Sequence, residues 1–361
     1  RQGLGLPDDF DGVNNDSAPI RTLAGLAAAR QQATGNAAQA GLEASRPLRM
    51  YVSSQAHSSI ERAAMILGLG REAVRHIAVD ETLSMDPGSL RTAIAQDREA
   101  GLVPAAIVAT VGTTSTTAVD PVAAIADVAA DEGIWLHVDA AYAGSTALIP
   151  GMRRFFAGWE RADSIVVNPH KWLFIPFDCS LLLTRRMEVL RAALSLVPEY
   201  LRSMDGRTAG RDYSEFVPQL GRRARGIKMW MHLRYFGLAG LRARIAGHLE
   251  LARGLAATID ADPDAELLHP APFATVCFRM RPARYAERVG EPAAERELNE
   301  LNELVMNAIN QSGELFFSHT RIDGVFTLRL AINNIRQQRR HVERAWQLLK
   351  TTTARLDEGG A

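Results

Sequence analysis

The stretch DSIVVNPHKWLFIPFDCS, residues 163–180, leads an apolar run into a polar turn and then presents a lysine among apolar neighbours. Residues 164–167 are mostly β-branched, which is typical of a buried strand, and Asn168-Pro169 marks its end. Lysine is rarely buried unless it is paired. We therefore expect Lys171 to be buried and its amine to have a chemical role.

Helix and strand patterns alternate on both sides of this stretch. Helix patterns cover residues 20–32, 58–67, 87–100 and 121–132, and β-rich runs cover 50–53, 76–79, 105–111, 134–139 and 164–168. Asp86-Pro87 combines a capping carboxylate with a proline at the first helical position, which predicts a helix start, and Asp120-Pro121 repeats this pair. Apolar strands that alternate with helices predict an α/β fold with a mostly parallel, doubly covered sheet.

The pattern changes after about residue 225, where longer helices begin. The predicted elements are helices over 227–236 and 241–259, a strand over 275–280, a helix over 295–312, strands over 315–320 and 325–331, and a helix over 338–349. These elements predict a smaller α+β unit. We therefore expect a large domain over residues 1–235, opening on a loop, and a small carboxyl-terminal domain over 236–361.

Charge and composition exclude several classes of protein. The chain has 41 basic and 41 acidic residues, so it carries no excess charge that would attract nucleic acid or an anionic membrane. Its two cysteines, Cys179 and Cys277, form no disulfide framework or metal-binding motif, which fits a reducing compartment. Neither a membrane-spanning run nor a signal-peptide pattern is present. We expect a soluble, cytoplasmic protein.

Three predicted strands of the large domain end on polar residues. Asp139 ends the strand in IWLHVDAAYAG (134–144) and is followed by small residues, residues 168–171 end a second strand, and residues 112–114 end a third. Ligands of open parallel sheets bind beyond the carboxyl ends of the strands. A carboxylate and an amine are therefore predicted to meet at one edge of the sheet, with hydroxyl groups nearby.

Two other interpretations of these residues were considered. Asp139 and Lys171 can form a structural ion pair without catalytic meaning. His137 and Asp139 lie on one strand face, because strand side chains alternate, and with His170 they are candidate metal ligands. The sequence offers no further ligand at a compelling spacing, and a lysine beside a metal cation is unfavourable. We therefore expect no metal.

A lysine opposite a carboxylate is the arrangement that Schiff-base chemistry with pyridoxal phosphate requires. Lysine loses its proton readily in a desolvated site and condenses with an aldehyde. An acid opposite the ring nitrogen keeps the pyridinium protonated, so that the ring takes up electrons. The phosphate needs a helix amino terminus, and NDSAPIRTLAGLAAAR (residues 15–30) offers one at Ser17 and Ala18.

Four motifs identify a family that uses this chemistry. They are QAHSSIERA (55–63), LHVDAAYAGS (136–145), NPHKW (168–172) and GRRARGIKMW (221–230). Together they resemble the group II pyridoxal-phosphate decarboxylases, which act on aromatic amino acids, histidine and glutamate and share the aspartate aminotransferase fold, fold type I. The resemblance covers nearly the whole chain and is closest to the aromatic-L-amino-acid decarboxylases.

The resemblance implies a role for individual residues. Lys171 resembles the Schiff-base lysine, Asp139 the partner of the pyridine nitrogen, and His57 the histidine that stacks on the ring and positions the substrate carboxylate. The remaining positions that resemble cofactor contacts are Ala141 on the opposite ring face, Ser17 and Ala18 at the phosphate, and Thr114, Asn168 and His170. Ordinary turn capping is the alternative role for the hydroxyls of Ser17 and Thr114.

Tyr200, in VPEYLRS (197–203), resembles the residue that donates a proton to Cα after carbon dioxide leaves. Relatives with phenylalanine at this position tend to form aldehydes, so Tyr200 and His57 favour simple decarboxylation. Burial of Tyr200 for its apolar area alone is the alternative. Pro19 departs from the family pattern, because it removes a hydroxyl and an amide donor from the phosphate loop.

The resemblance implies decarboxylation of an aromatic L-amino acid to its amine, by a homodimer whose active site lies at the subunit interface. The alternatives are a group II decarboxylase of another amino acid, a pyridoxal-phosphate-dependent aldehyde synthase, and a truncated inactive homologue. The last arises because family members have a further amino-terminal segment before this point, which walls the substrate pocket.

Overall fold

The computed structural model describes residues 1–43, 45–196 and 212–358 of the chain. It divides into two compact units. The larger unit contains residues 1–114 and 118–242, and the smaller unit contains residues 115–117 and 243–361. The larger unit therefore extends beyond the boundary predicted at residue 235. No helix in the described ranges is both long and apolar enough to cross a membrane.

The described part of the larger unit is built on a seven-stranded sheet. Its strands are β1 (Asp11–Asn15), β2 (Leu48–Ser53), β3 (Val74–Ile77), β4 (Val103–Thr110), β5 (Trp135–Asp139), β6 (Ser164–Val167) and β7 (Ser180–Thr184). They lie in the order β1-β7-β6-β5-β4-β2-β3. The pairs from β3 to β6 are parallel, and β7 is antiparallel to both β6 and β1. The predicted mostly parallel sheet is confirmed.

This topology brings six strand ends to one edge of the sheet. β2, β3, β4, β5 and β6 run in the same direction, so their carboxyl ends share that edge. Because β7 is antiparallel to both β6 and β1, β1 also points toward it. The segments that follow these strands begin near residues 16, 54, 78, 111, 140 and 168.

Helices cover the sheet. They are α1 (Ala18–Thr34), α2 (Ala37–Ala40), α3 (Ser59–Ile66), α4 (Pro87–Glu99), α5 (Val122–Glu132), α6 (Pro169–Trp172) and α7 (Met187–Leu194). Helix α1 packs closely on the sheet: Ala24 and Leu26 are fully buried, and a Cβ added at Gly25 would lie 2.9 Å from Nδ1 of His137. Glycine is needed there to let the helix approach β5.

The two predicted helix starts have different outcomes. Asp86 caps α4 as predicted, because its carboxylate accepts hydrogen bonds from the backbone N–H groups of Gly88 and Ser89. The prediction for Asp120 is wrong. Its buried carboxylate instead accepts hydrogen bonds from the N–H groups of Met85 and Thr110, and Pro121 occupies the cap position. Asp120 therefore ties the segment before α4 to the end of β4.

The opening of the chain also differs from the prediction. Residues 11–15 form strand β1 at the edge of the sheet, where a loop was expected. Their sequence, Asp-Gly-Val-Asn-Asn, has little intrinsic β preference. Pairing with the apolar strand β7 and burial of Val13 against the core stabilise it as a strand.

The smaller unit contains a four-stranded antiparallel sheet in the order β10-β11-β9-β8. Its strands are β8 (Ala265–His269), β9 (Thr275–Met280), β10 (Ser318–Ile322) and β11 (Val325–Ala331). The later helices are α8 (Arg225–Asp260), which belongs to the larger unit as far as residue 242, α9 (Pro292–Ser312) and α10 (Arg339–Glu358). Gly237, with φ 63° and ψ 165°, breaks α8 into the two predicted helices. Helix α9 packs on the sheet through Asn302, which bonds both backbone groups of Met280.

Candidate active site

Asp139 is the last residue of β5 and lies at the shared edge of the sheet. Its side chain is buried, with the residue 7% exposed, and Oδ1 accepts a hydrogen bond of 3.0 Å from the N–H of Ala141. Ala141 is buried beside it. The carboxylate is thus fixed in orientation by the turn that follows the strand.

The end of β6 lies next to Asp139. The N–H of Asn168 donates to the backbone carbonyl of Ala141, which holds the two strand ends side by side. Asn168 is 1% exposed, and its Oδ1 accepts a hydrogen bond of 2.6 Å from Ser180 Oγ. Its Nδ2 is buried and has no hydrogen-bond partner among the described residues. The strand end therefore presents one unused amide donor.

Lys171 lies in the single turn of α6 that continues from this strand end. Its side chain is exposed, whereas burial was predicted from its apolar neighbours. In α6 the buried residues are Pro169 and Trp172, and Trp172 stacks on Tyr142 at a ring distance of 4.9 Å. These contacts turn the intervening lysine away from the core, toward the edge where Asp139 lies. The amine is thus positioned by its neighbours and not enclosed by them.

His170 joins α6 to the segments around it. Its Nδ1 accepts a hydrogen bond of 2.9 Å from the N–H of Cys179, and the ring also bonds the backbone of Asp16. Partial burial lowers the pKa of His170, and the charge of Lys171 lowers it further. A neutral His170 therefore connects the lysine turn to the start of α1.

His57 follows β2 and is exposed at the same edge. Its Nδ1 accepts a hydrogen bond of 3.0 Å from the N–H of Ser59, so the proton of the neutral ring is on Nε2. Desolvation lowers the pKa of His57; the negative charge of Asp139 raises it, and the positive charges of Lys171 and Arg62 lower it. The three residues follow strands whose carboxyl ends share this edge of the sheet, and the charges of Asp139 and Lys171 both act on His57.

The amino terminus of α1 follows β1 at this edge. Ser17 is the N-cap residue, yet its side chain makes no capping hydrogen bond, so the hydroxyl is not used for ordinary capping. The carboxylate of Asp16 instead accepts from the N–H of Ser17 at 2.8 Å and from Gln219 at 3.3 Å. Ala18 and Pro19 occupy the first helical positions.

The other predicted residues have different placements. Thr114 is exposed in the loop after β4, where it interacts with another part of the protein. Tyr200 lies outside the described residues. His137 is fully buried with Nδ1 2.7 Å from Ser164 Oγ, so it belongs to the packing between β5 and α1. The structure thus brings together Asp139, Ala141, Asn168–Lys171, His57 and Ser17 at one edge.

Sequence reasoning missed an ion pair that holds the loop after Lys171. Arg225, in the first turn of α8, donates from Nε and Nη2 to the two carboxylate oxygens of Asp178, at 3.0 Å each. Lys228 donates to the backbone carbonyl of Asp178 at 2.7 Å. The Arg225 hydrogen bond lowers the pKa of Asp178 to about 2. Arg225 lies in the motif GRRARGIKMW, but the sequence does not show that it pairs with Asp178.

A second missed residue is Arg21, which is fully buried in the first turns of α1. In the sequence, Arg21 is a charged residue within an otherwise apolar helix pattern, and this contrast marks it as unusual.

The residues at this edge fit pyridoxal phosphate. The buried, unpartnered Nδ2 of Asn168 and the amino terminus of α1 suit a phosphate group. The carboxylate of Asp139 suits a protonated ring nitrogen, and the amine of Lys171 suits an aldehyde. This donor set matches the three reactive parts of the cofactor.

Comparisons with known proteins agree with this fit. The model of the pyridoxal-dependent decarboxylase conserved domain matches residues 3–281. A phenylacetaldehyde synthase of Arabidopsis thaliana is 38% identical over 362 residues, covering 98% of this chain and 72% of the relative. A tryptophan decarboxylase of Camptotheca acuminata is 38% identical over 313 residues, covering 86% and 61%.

Solved structures show the same similarity. The crystal structure of Oryza sativa TDC with PLP and tryptamine superposes with a TM-score of 0.91 at 37% identity, covering 98% of this chain and 74% of that one. The chain spans only about three fifths of the length of the Camptotheca acuminata decarboxylase.

Proposed function

The chain belongs to the family of pyridoxal-dependent decarboxylases, and we propose that it converts an aromatic L-amino acid to its amine and carbon dioxide. The observation that carries this proposal is the meeting of Asp139, His57 and Lys171 at the carboxyl edge of the sheet. Carboxylate, imidazole and amine are the groups that this chemistry needs beside one another.

Pyridoxal phosphate, when bound, supplies an aldehyde for Lys171 and a ring that takes up the electrons left when the Cα–carboxylate bond breaks. Asp139 holds the proton on the ring nitrogen, and its orientation is set by the hydrogen bond from Ala141. Lys171 would hold the aldehyde carbon through its amine, and its side chain is exposed at this edge.

By the family resemblance, His57 would stack on the cofactor ring and orient the substrate carboxylate. Its neutral state suits stacking, and its Nε2–H is the available donor because Nδ1 is occupied by Ser59. The remaining cofactor-binding residues in this proposal are Ser17, Ala18, Thr114, Ala141, Asn168 and His170. Of these, Asn168 has the strongest structural support, because its buried amide donor is unused by any described residue.

Tyr200 completes the reaction by donating its hydroxyl proton to Cα. Carbon dioxide leaves with the carboxylate carbon, and the electron pair of the broken bond ends in the new Cα–H bond. The hydroxyl regains a proton from solvent, so that substrate and one proton yield amine and carbon dioxide. This role rests on the family resemblance, since Tyr200 is not among the described residues.

The aromatic substrate class is supported by the relatives. Tryptophan and tyrosine/DOPA decarboxylases are each 38% identical to this chain. An aldehyde synthase at the same identity makes aldehyde formation the second candidate function. The two differ in product, since aldehyde formation consumes oxygen and water and yields an aldehyde, ammonia and hydrogen peroxide in place of the amine.

Product analysis tests the proposal. The protein would be incubated with pyridoxal phosphate and a mixture of the common amino acids, and products identified by mass spectrometry. Tryptamine, tyramine or phenethylamine is the expected result. An amine from a non-aromatic amino acid would contradict the substrate class, and phenylacetaldehyde or a related aldehyde would support the second candidate.

Substitution of Tyr200 tests the proton-transfer step. We expect Tyr200→Phe to lower amine formation by about 10²-fold or more, as for loss of a positioned proton donor, and to shift the products toward aldehyde. Amine and aldehyde are measured in the same reaction by mass spectrometry. Tyr213→Phe is the control, because Tyr213 lies beyond the same segment and has no role in the proposal. An unchanged product ratio in Tyr200→Phe would remove this residue from the mechanism.

We also propose that the protein acts as a cytoplasmic homodimer with the active site at the subunit interface. Both cysteines are buried and free, which suits a reducing compartment. The first half of α8 exposes a row of large apolar side chains, which suits an interface.

A further inference from the structure

The described parts of the chain provide no polar partner for the buried side chain of Arg21. Its relative exposure is 0%, and its three guanidinium nitrogens have no hydrogen-bond partner in residues 1–43, 45–196 and 212–358. Arginine is almost never fully buried unless it is paired. A buried, unpaired charge is strongly unfavourable, so the position calls for an anion.

The location of Arg21 specifies where this anion would bind. Arg21 is the fourth residue of α1, after Ala18, Pro19 and Ile20. Helix side chains lean toward the amino terminus, so the guanidinium lies over the first turn. This is the positive end of the helix dipole, where phosphate groups bind. The side chain and the helix terminus therefore act on the same space.

The surrounding charges also favour an anion. The positive charges of Arg222 and Arg225 act on Arg21, together with the negative charge of Asp16 and the thiol of Cys179. Asp16 makes no hydrogen bond to the guanidinium, and its two oxygens accept from Ser17 and Gln219. Burial and the two arginines lower the pKa of Arg21. Arg225 is paired with Asp178 and Arg222 donates to the amide oxygen of Asn14, so the charges of Arg21 and Arg222 exceed that of Asp16.

We propose that Arg21 binds the phosphate of pyridoxal phosphate at the amino terminus of α1. This inference rests on the proposed function, which requires the cofactor. It also explains how the chain accommodates two features that weaken a phosphate loop. Asp16 places a carboxylate next to the phosphate, and Pro19 lacks an N–H donor. The guanidinium offsets the charge of Asp16 and supplies donors in place of the missing amide.

Arg21→Met is the decisive variant, since methionine fills a similar volume without charge. A phosphate-binding role and a purely structural role predict opposite changes. If Arg21 binds phosphate, the variant folds at least as stably without cofactor, because an unpaired buried charge has been removed. Its dissociation constant for pyridoxal phosphate rises at least about tenfold. Its affinity for pyridoxal, which lacks the phosphate, stays unchanged.

The measurements are fluorescence titrations with pyridoxal phosphate and with pyridoxal, and thermal unfolding of the cofactor-free protein. Arg30→Met is the matched control, because Arg30 lies on the same helix and donates to the Leu67 carbonyl. It should lower the unfolding temperature and leave both affinities unchanged. Inorganic phosphate should raise the unfolding temperature of the unaltered protein and not that of Arg21→Met.

The outcomes separate this inference from the proposed function. If the unaltered protein binds pyridoxal phosphate and Arg21→Met binds it equally well, the inference alone is wrong. The same holds if inorganic phosphate leaves the unfolding temperature of the unaltered protein unchanged, a result that does not depend on the variant. If the unaltered protein takes up no pyridoxal phosphate, the proposed function fails and this inference fails with it.

Discussion

Lys171 is exposed because it lies between the buried residues of α6, directly after the end of β6. Trp172 and Pro169 enter the core, so the side chain between them points out of it. The residue types predicted a reactive amine beyond a strand end, but not its exposure, because which side of a single helical turn is buried depends on tertiary contacts. Arg21 shows the opposite case: arginine is rarely fully buried, yet the packing of α1 buries this one.

The reactivity of Lys171 is tested by chemical trapping. Borohydride reduction of the protein with pyridoxal phosphate should attach the cofactor permanently to Lys171, since the turn that carries it follows the strand end next to Asp139. The chain contains three lysines, so peptide mapping by mass spectrometry identifies the attachment site directly. Lys171→Ala should abolish the modification and reduce amine formation by at least about 10³-fold.

Lys350→Ala is the control for this experiment. Lys350 donates to Asp262 and Asp264 in the smaller unit, so its loss should leave the trapping unchanged. Modification that persists in Lys171→Ala would show that another amine carries the cofactor.

Hydrogen bonds fix the residues of the active edge. Ala141 fixes Asp139 within the turn after β5, Ser180 fixes Asn168 after β6, and Arg225 fixes the loop at Asp178. The strand ends themselves were predictable, because short apolar runs ended on polar residues. The bonds of Ser180 and Arg225 were not, since each joins residues from separate elements. The local sequence around Asp120 predicted a helix cap. In the structure its carboxylate instead accepts hydrogen bonds from two backbone N–H groups in other segments.

The Asp178–Arg225 pair should give the protein a specific sensitivity to acid. The hydrogen bond from Arg225 lowers the pKa of Asp178 from 3.8 to about 2 in the folded state. A lowered folded-state pKa means that the stabilisation is fully present above about pH 4 and is lost as the pH falls toward 2. We expect Asp178→Asn to be less stable at pH 7 and to lose less free energy of unfolding between pH 5 and 3.

Urea unfolding at a series of pH values measures this difference. Asp127→Asn is the matched control, since Asp127 pairs with Arg161 on the surface, where its side chain is 60% exposed. That pair should contribute little at any pH. If the free energies of Asp178→Asn and the unaltered protein decline in parallel with acid, the ion pair does not stabilise the loop.

At the scale of the whole molecule, the alternation of helices and strands was sufficient to predict the class of fold. It was not sufficient to predict the edge strand β1, because Asp-Gly-Val-Asn-Asn becomes a strand only by pairing with β7. That strand matters for the site, since it delivers α1 to the same edge as Asp139. Local sequence patterns therefore predict the parallel strands of the sheet. They do not predict the antiparallel edge strand β1, which forms only by pairing with β7.

One surface of the larger unit exposes several large apolar side chains next to one another. In the first half of α8, Ile227, Trp230, Met231 and Tyr235 are 55%, 61%, 58% and 84% exposed. Their spacing places them on one side of the helix. A cavity of about 630 Å³ adjoins Ile227 and is lined by residues of β1 and β7. Exposed apolar surface of this kind is typical of protein interfaces, which supports the proposed homodimer.

The proposed homodimer can therefore be tested at this face. Trp230→Glu combined with Tyr235→Glu places charges where a second copy would bury aromatic rings, so we expect dimerisation to weaken at least about 30-fold. Sedimentation velocity over a range of concentrations measures it, and Leu304→Glu on α9, 56% exposed elsewhere, should leave it unchanged. Because the active site is proposed to lie at the interface, amine formation should fall in step with dissociation. A monomeric unaltered protein, or a double variant that dimerises as before, would show that this face does not hold a second copy.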